Sequence, residues 1–304
     1  MNCSQDSSIL SGERPRDRSH IISRTIPYDA TRRALYTPCA DAISLSGLAT
    51  AGDALLCAEL ARFVYCRFET DNTIAQAMRD ELSGVGFSEV DFFNGSGMQA
   101  LLAFDPNKQL AVLSFRGTQP DEVKDLLTNV KAVPSPWAGA GCVHKGFADM
   151  LASGWDAIQA ALSQRGSARL LYTGHSLGAA LATLSAALQR PGAMVTFGSP
   201  RVGDGAFADS LAGVSHDRYV DCADLVCRIP PEQWSYEHVG TRRYIDRDGA
   251  LQNGFSDADI RADQSSATLA YPLQYGWRQP ANVFLRNFAD HAPVNYIHAL
   301  RTGI

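Results

Sequence analysis

The sequence predicts an α/β fold, with a central, mostly parallel sheet and helices on both faces. Three observations carry this. Between residues 110 and 221, short apolar runs of strand length alternate with longer runs whose apolar residues recur at helical spacing. At 172–180 the chain reads YTGHSLGAA, where a strand-like stretch passes into a helix-like one through a serine with a glycine two positions away on each side. The chain is 304 residues long with 45% hydrophobic content, enough to bury a sizeable core.

The elements follow in order. Residues 1–45 are polar and irregular and read as a solvated, poorly ordered arm, leaving 46–304 as a single domain. GDALLCAELARFVYC, 52–66, and IAQAMRDEL, 74–82, carry apolar residues at helical spacing. MQALLAF, 98–104, and LAVLSF, 110–115, read as strands joined by a DPNK turn. The run 144–164 reads as one helix, SARLLYT, 167–173, as a strand, and LGAALATLSAALQ, 177–189, as a helix. AMVTFGS, 193–199, and DRYVD, 217–221, are further strands. In 240–290, RRYIDRDGAL suggests a strand and turn, and the remainder shows no clear period.

Bulk properties exclude some classes of function. A net charge of −5 favours neither nucleic acid nor an anionic membrane surface. No run reaches the ~18 uninterrupted apolar residues of a membrane span. The first eighteen residues lack the apolar core of a secretory signal. The seven cysteines form no CxxC pair, so reduced thiols and no metal site are expected. Together these point to the cytoplasm, or to export by a route that reads no N-terminal signal.

Ser176 has the setting a nucleophile needs. A serine hydroxyl is weak at neutral pH; it requires a neighbouring base and an exposed mounting. A sharp strand-to-helix turn supplies the mounting. Gly174 and Gly178 leave room for the crowded backbone around His175 and Ser176. The following helix aims its first N–H groups at the site, where negative charge would develop.

An acid and a histidine should follow Ser176 in that order. Asp204, Asp209, Asp217, Asp221 and Asp224 are the acid candidates. Asp224 falls just past the end of the DRYVD strand, where such acids sit in sheets of this class, and Asp221 is second. Among His216, His238, His291 and His298, His291 lies in a loop-like segment leading into a C-terminal helix, and His298 lies inside that helix.

These segments, taken together, resemble the class 3 lipases, the fungal-type group of the α/β-hydrolase fold. The likeness runs in order from about residue 50 to the C-terminus. LSFRGT resembles the family's oxyanion strand and implies that role for Thr118. VHKGF, 143–147, is similar to the segment that ends its lid connection. GHSLGAALA matches its nucleophile motif and implies Ser176. TFGSPRVGD resembles its next strand and loop. DLVCRIPP resembles its acid segment, with Cys227 where the family usually has proline, and implies Asp224. DHAPVNYI resembles its histidine segment and implies His291.

The resemblance implies ester hydrolysis through an acyl-enzyme, with no cofactor. The backbone N–H of Leu177 and Thr118 would hold the oxyanion. It also places a lid at 119–137. There Val123, Leu126, Leu127 and Val130 follow i, i+3, i+4, i+7 spacing and share one face of a helix. Triacylglycerol, phospholipid and soluble short-chain esters all remain open as substrates. Retention of Ser176, Asp224 and His291 argues against a non-catalytic binding relative, whereas a membrane-acting effector using the same chemistry would carry the same residues.

Overall fold

The computed structural model describes residues 27–39, 45, 47–118, 133–137, 139–276 and 279–302. The elements in chain order begin with helices α1 (Arg32–Tyr36), α2 (Asp53–Phe63) and α3 (Asn72–Gly84). Strands β1 (Glu89–Asn94), β2 (Gln99–Asp105), β3 (Leu110–Phe115), β4 (Pro134–Pro136) and β5 (Cys142–His144) follow. Next come α4 (Lys145–Ala152), α5 (Trp155–Ser163), β6 (Arg169–His175), α6 (Leu177–Leu188), β7 (Ala193–Phe197) and α7 (Gly205–Ser210). The chain continues through β8 (His216–Asp221), β9 (Thr241–Ile245), β10 (Leu251–Gln252), α8 (Asp257–Tyr271), α9 (Arg286–Ala289) and α10 (Pro293–Thr302).

The main sheet has eight strands in the order β1-β2-β3-β6-β7-β8-β9-β10. From β3 to β9 the pairs are parallel, and the two margins are antiparallel hairpins. This is the mostly parallel sheet the strand–helix alternation predicts. Because side chains alternate across a strand, each strand feeds two cores. Leu101, Ala103, Val112, Leu171, Val195 and Phe197 face the core shared with α2, α3 and α10. Ala100, Leu102, Ala111, Leu113, Tyr172 and Met194 face the core under α4, α5 and α6.

The structure departs from the sequence reading in four places. The helix expected over 144–164 is two helices, parted at Ser153–Gly154, where Gly154 leaves helical geometry. The strand β1 carries EVDFFN on the sheet's edge, and its single fully buried residue, Phe93, gives no clear alternation. Residues 257–271 are a fifteen-residue helix. Only Ile260, Ala267 and Tyr271 of it are buried, so its apolar stripe is too narrow to show as a period. Its start is nonetheless marked: Ser256 and Asp259 form a reciprocal capping box. Finally, residues 27–36, assigned on sequence to the polar arm, pack against the C-terminal elements. Ala30, Ala34 and Leu35 join Tyr271, Val283, Ala289 and Val294 in one apolar cluster.

Candidate active site

Strand β6 ends at His175 and helix α6 begins at Leu177, so Ser176 alone makes the turn. Its φ of 59° and ψ of −128° are unusual for a residue with a side chain, a local strain held by the structure on either side. The Ser176 N–H donates to Phe197 O of β7 at 3.0 Å. The flanking glycines answer to close backbone contact. A Cβ on Gly174 would lie 2.3 Å from the carbonyl of Gly178, and one on Gly178 would lie 2.1 Å from Phe115 O. Strand β3 therefore closes on the elbow from one side and β7 from the other.

His291 sits between α9 and α10, in the loop the sequence suggested. Its Nε2 is 2.9 Å from Ser176 Oγ. Its Nδ1 is 2.9 Å from Asp224 Oδ2 and 3.0 Å from Oδ1. All three side chains are buried. The second carboxylate oxygen is also engaged: the Val226 N–H donates to Asp224 Oδ1 at 2.9 Å, while the Tyr296 hydroxyl donates to Oδ2 at 2.6 Å. Burial alone would push the Asp224 carboxyl up. The His291 charge, its hydrogen bond and the Tyr296 hydrogen bond outweigh that and hold it below its ordinary value. Burial keeps Tyr296 protonated, so it remains a donor.

The other candidates lie elsewhere or in other roles. Asp221 ends β8, and burial together with the charge of Asp290 pushes its carboxyl well above the usual range. His216 bonds Thr196, His238 bonds the Cys227 carbonyl, and His298 bonds Pro27 O. Asp204 caps α7 through Phe207 N. His175 packs its ring 4.4 Å from that of His291 and shares a 2.9 Å hydrogen bond with Tyr65. Burial, reinforced by the His291 charge, pulls His175 well below its ordinary value, so it stays neutral beside the triad.

Thr118 and Leu177, expected on sequence to hold the oxyanion, lie on the segments that flank the elbow. In the β3–β6 register Phe115 stands opposite Gly174, which carries the next residues, Arg116 to Thr118, alongside the serine. Thr118 Oγ1 is buried with no hydrogen-bond partner among the described residues. Leu177 is the first residue of α6, where the helix has no internal acceptor for its N–H. Val123, Leu126, Leu127 and Val130 lie outside the described residues.

Sequence reasoning missed Tyr296, Val226 and Gly198. Gly198 has φ 56°, and a Cβ there would lie 2.8 Å from Asp224 Oδ2 and 3.1 Å from the His291 ring. It is the space through which acid and histidine meet. Its position after an apolar strand, in TFGSP, is the one signal that could have found it. Tyr296 sits among apolar residues of a helix and looks like packing. Among the described residues, no group of three or more His, Cys, Asp or Glu is arranged to hold a metal ion. No helix among them is long and apolar enough to cross a membrane.

The arrangement can deprotonate a serine hydroxyl, stabilise the resulting imidazolium and receive negative charge beside the elbow. Comparison with known proteins agrees with that chemistry. The family model for lipase (class 3) matches residues 112–234. A secreted mono- and diacylglycerol lipase of Fusarium solani is 32% identical over 178 residues, covering 55% of this chain and 53% of the relative. A lipase of Rhizomucor miehei is 30% identical over 163 residues, covering 48% and 44%. The chain thus spans about half the length of the curated relatives it matches. Among solved structures, the lipase from Rhizopus microsporus var. chinensis superposes with a TM-score of 0.55 at 18% identity, covering 79% of this chain and 94% of that one. A triacylglycerol lipase with a serine protease triad at its catalytic centre superposes at 0.54 and 22% identity, covering 78% and 91%. The structural likenesses establish a shared fold, and the family match over residues 112–234 with the two sequence relatives supports the class 3 lipase family for this chain.

Proposed function

We propose that this chain is a serine hydrolase acting on carboxylic esters of lipids. The observation that carries the proposal is the unbroken hydrogen-bonded line from Ser176 through His291 to Asp224. His291 takes the Ser176 proton as the hydroxyl attacks the ester carbonyl. Asp224 fixes the imidazole tautomer and stabilises the imidazolium that forms. The Leu177 N–H and the Thr118 backbone and hydroxyl receive the oxyanion; losing one such donor costs ~10²–10³ in kcat. His291 returns the proton to the leaving alcohol and then activates the water that releases the acyl group.

The substrate class follows from two lines of support. The relatives act on mono- and diacylglycerols, and in Ricinus communis on triacylglycerol. The surface near the C-terminal elements also carries apolar residues suited to a lipid–water boundary. Leu273 and Phe284 are 84% and 76% exposed, and Phe284 and Leu285 border one cleft with Tyr271 and Pro272.

The test is an ester panel from short-chain nitrophenyl esters to emulsified triacylglycerol and phospholipid, run with Ser176→Ala. The variant should lose about 10⁵-fold or more in kcat and all labelling by a fluorophosphonate probe. Turnover near the parent's would sink the reading. Replacing Leu126 and Leu127 with Ser should weaken action on emulsions and spare a soluble ester; equal losses on both would remove those leucines from substrate access.

A further inference from the structure

Behind the acid loop lies a second pocket, of about 310 Å³, on the sheet face opposite the α2 side. Strands β8 and β9 form its floor, α8 covers it, and the loop around Cys227 closes one end. Asp224 belongs to its inner wall.

Its chemistry differs from that of the rest of the molecule. Five arginines face three carboxylates in the lining, in a chain whose net charge is −5. Two of those carboxylates are already engaged: Glu232 pairs with Arg201, and Asp257 pairs with Arg242 at 2.7 Å. The third, Asp224, serves His291 and Tyr296. Arg228 donates to the neutral Gln264 at 2.8 Å. Burial and the nearby arginines keep His238 neutral.

Arg218 has nothing. It is 7% exposed, and its Nε is buried without a partner. Among the described residues its side chain makes no hydrogen bond or ion pair. The β8–β9 register sets Arg242 directly opposite it, like charge against like. Burial, with Arg242 and Arg201 adding to it, draws its pKa down to about 10, which leaves it charged at neutral pH. The guanidinium of Arg261, on the exposed side of α8, also makes no ion pair among the described residues. A buried cation without a counter-charge is costly to a fold. An anion seated between Arg218 and Arg261 would relieve that cost. Guanidinium forks match phosphate oxygens two at a time. The cavity is larger than one phosphate ion and leaves room for a small organic group attached to it.

We propose that this pocket binds a phosphate group, carried either by a small soluble phosphomonoester or by a lipid head group. The site shares the Asp224 wall with the triad, but the arginines that would hold the phosphate take no part in ester cleavage.

Thermal unfolding of the whole chain tests this, with inorganic phosphate and glycerol 3-phosphate against chloride at matched ionic strength. The parent's midpoint should rise by about 2–4 °C at saturation. Arg218→Met should abolish the rise, and Arg261→Gln, an exposed change that leaves the fold intact, should reduce it at least by half. A parallel arm measures co-flotation with phosphatidylcholine vesicles with and without phosphatidic acid. Flotation that needs phosphatidic acid and is reduced in Arg261→Gln identifies a lipid head group; a response confined to the soluble ligands identifies a free phosphate compound. A general salting effect would raise all three proteins alike and overturn the proposal. So would the parent showing no response in either arm.

Discussion

Asp221 and Asp224 stand three residues apart, one ending β8 and the other just beyond it. Both are enclosed by protein, and burial pushes both carboxyls up. Their net shifts run in opposite directions. Asp224 faces donors: the His291 ring, the Tyr296 hydroxyl and the Val226 N–H. Asp221 faces other acids, Asp290, Asp224 and Asp246, countered by Arg286. Depth of burial therefore does not by itself set the direction in which a buried carboxyl shifts; the sign of what points at it does. Asp224 is an anion that can hold an imidazolium. Asp221 is shifted the other way, toward its protonated form, and makes no hydrogen bond to the imidazole.

The sharpest way to break this comparison is to remove each charge in turn. Asp224→Asn should leave the fold intact and cut kcat by about 10⁴, because the amide fixes the wrong imidazole tautomer. Asp221→Asn should leave kcat near the parent's, since its carboxyl takes no part in the hydrogen-bonded line from Ser176 through His291 to Asp224. A large loss for Asp221→Asn with a small one for Asp224→Asn would transfer the role. Next in size is Tyr296→Phe, which removes one donor to the Asp224 anion. Hydrogen bonds to charged groups contribute about 1.5–3 kcal/mol, so kcat should fall by about tenfold or more. An unchanged rate would make that tyrosine packing alone.

Stability against pH separates the two aspartates by sign. The fold lowers the Asp224 pKa, so its contribution is full above the ordinary value of 3.8 and is lost as pH falls below it. The fold raises the Asp221 pKa, so its contribution is full below 3.8 and is lost as pH climbs from there toward the raised value. Denaturant unfolding of Asp221→Asn should show a stability gain over the parent that widens with rising pH, by about 1.4 kcal/mol per unit of displacement. A gap that stays constant with pH would mean Asp221 is charged in the fold. The smallest effect belongs to Tyr28, whose hydroxyl donates to Asp290 Oδ1 at 2.6 Å. Tyr28→Phe should lower stability by about 1 kcal/mol and leave the ester panel's ranking unchanged.

The same comparison marks what the sequence can reveal. The serine, its glycines and the strand–helix alternation are local, and local steric demands leave local signatures. The order Ser176, Asp224, His291 was legible because segments flank each residue with recognisable neighbours. The choice between Asp221 and Asp224 rested on position relative to a strand end. What separates them physically is the Tyr296 hydroxyl on Asp224 and the charge of Asp290 acting on Asp221, each more than sixty residues away in the chain. Helix α8 escaped for a different reason: it covers a polar pocket, so most of its residues have no cause to be apolar. Its Leu269 points outward, 79% exposed, and blurs what pattern there is.

The docking of residues 27–36 on the C-terminal helices has a consequence for topology. Asp29 N–H donates to Asn295 Oδ1 at 2.8 Å, Val283 N–H to Ala30 O at 2.8 Å, and His298 lies 3.1 Å from Pro27 O. The two ends of the described body thus meet beside His291. A folded body whose two ends lie together tolerates being re-cut. Joining the end of α10 to residue 27 by a short linker and opening the chain at the exposed turn around Gly254 would yield a circular permutant. It would retain the triad residues in the new chain order His291, Ser176, Asp224 while moving the break to the turn between β10 and α8.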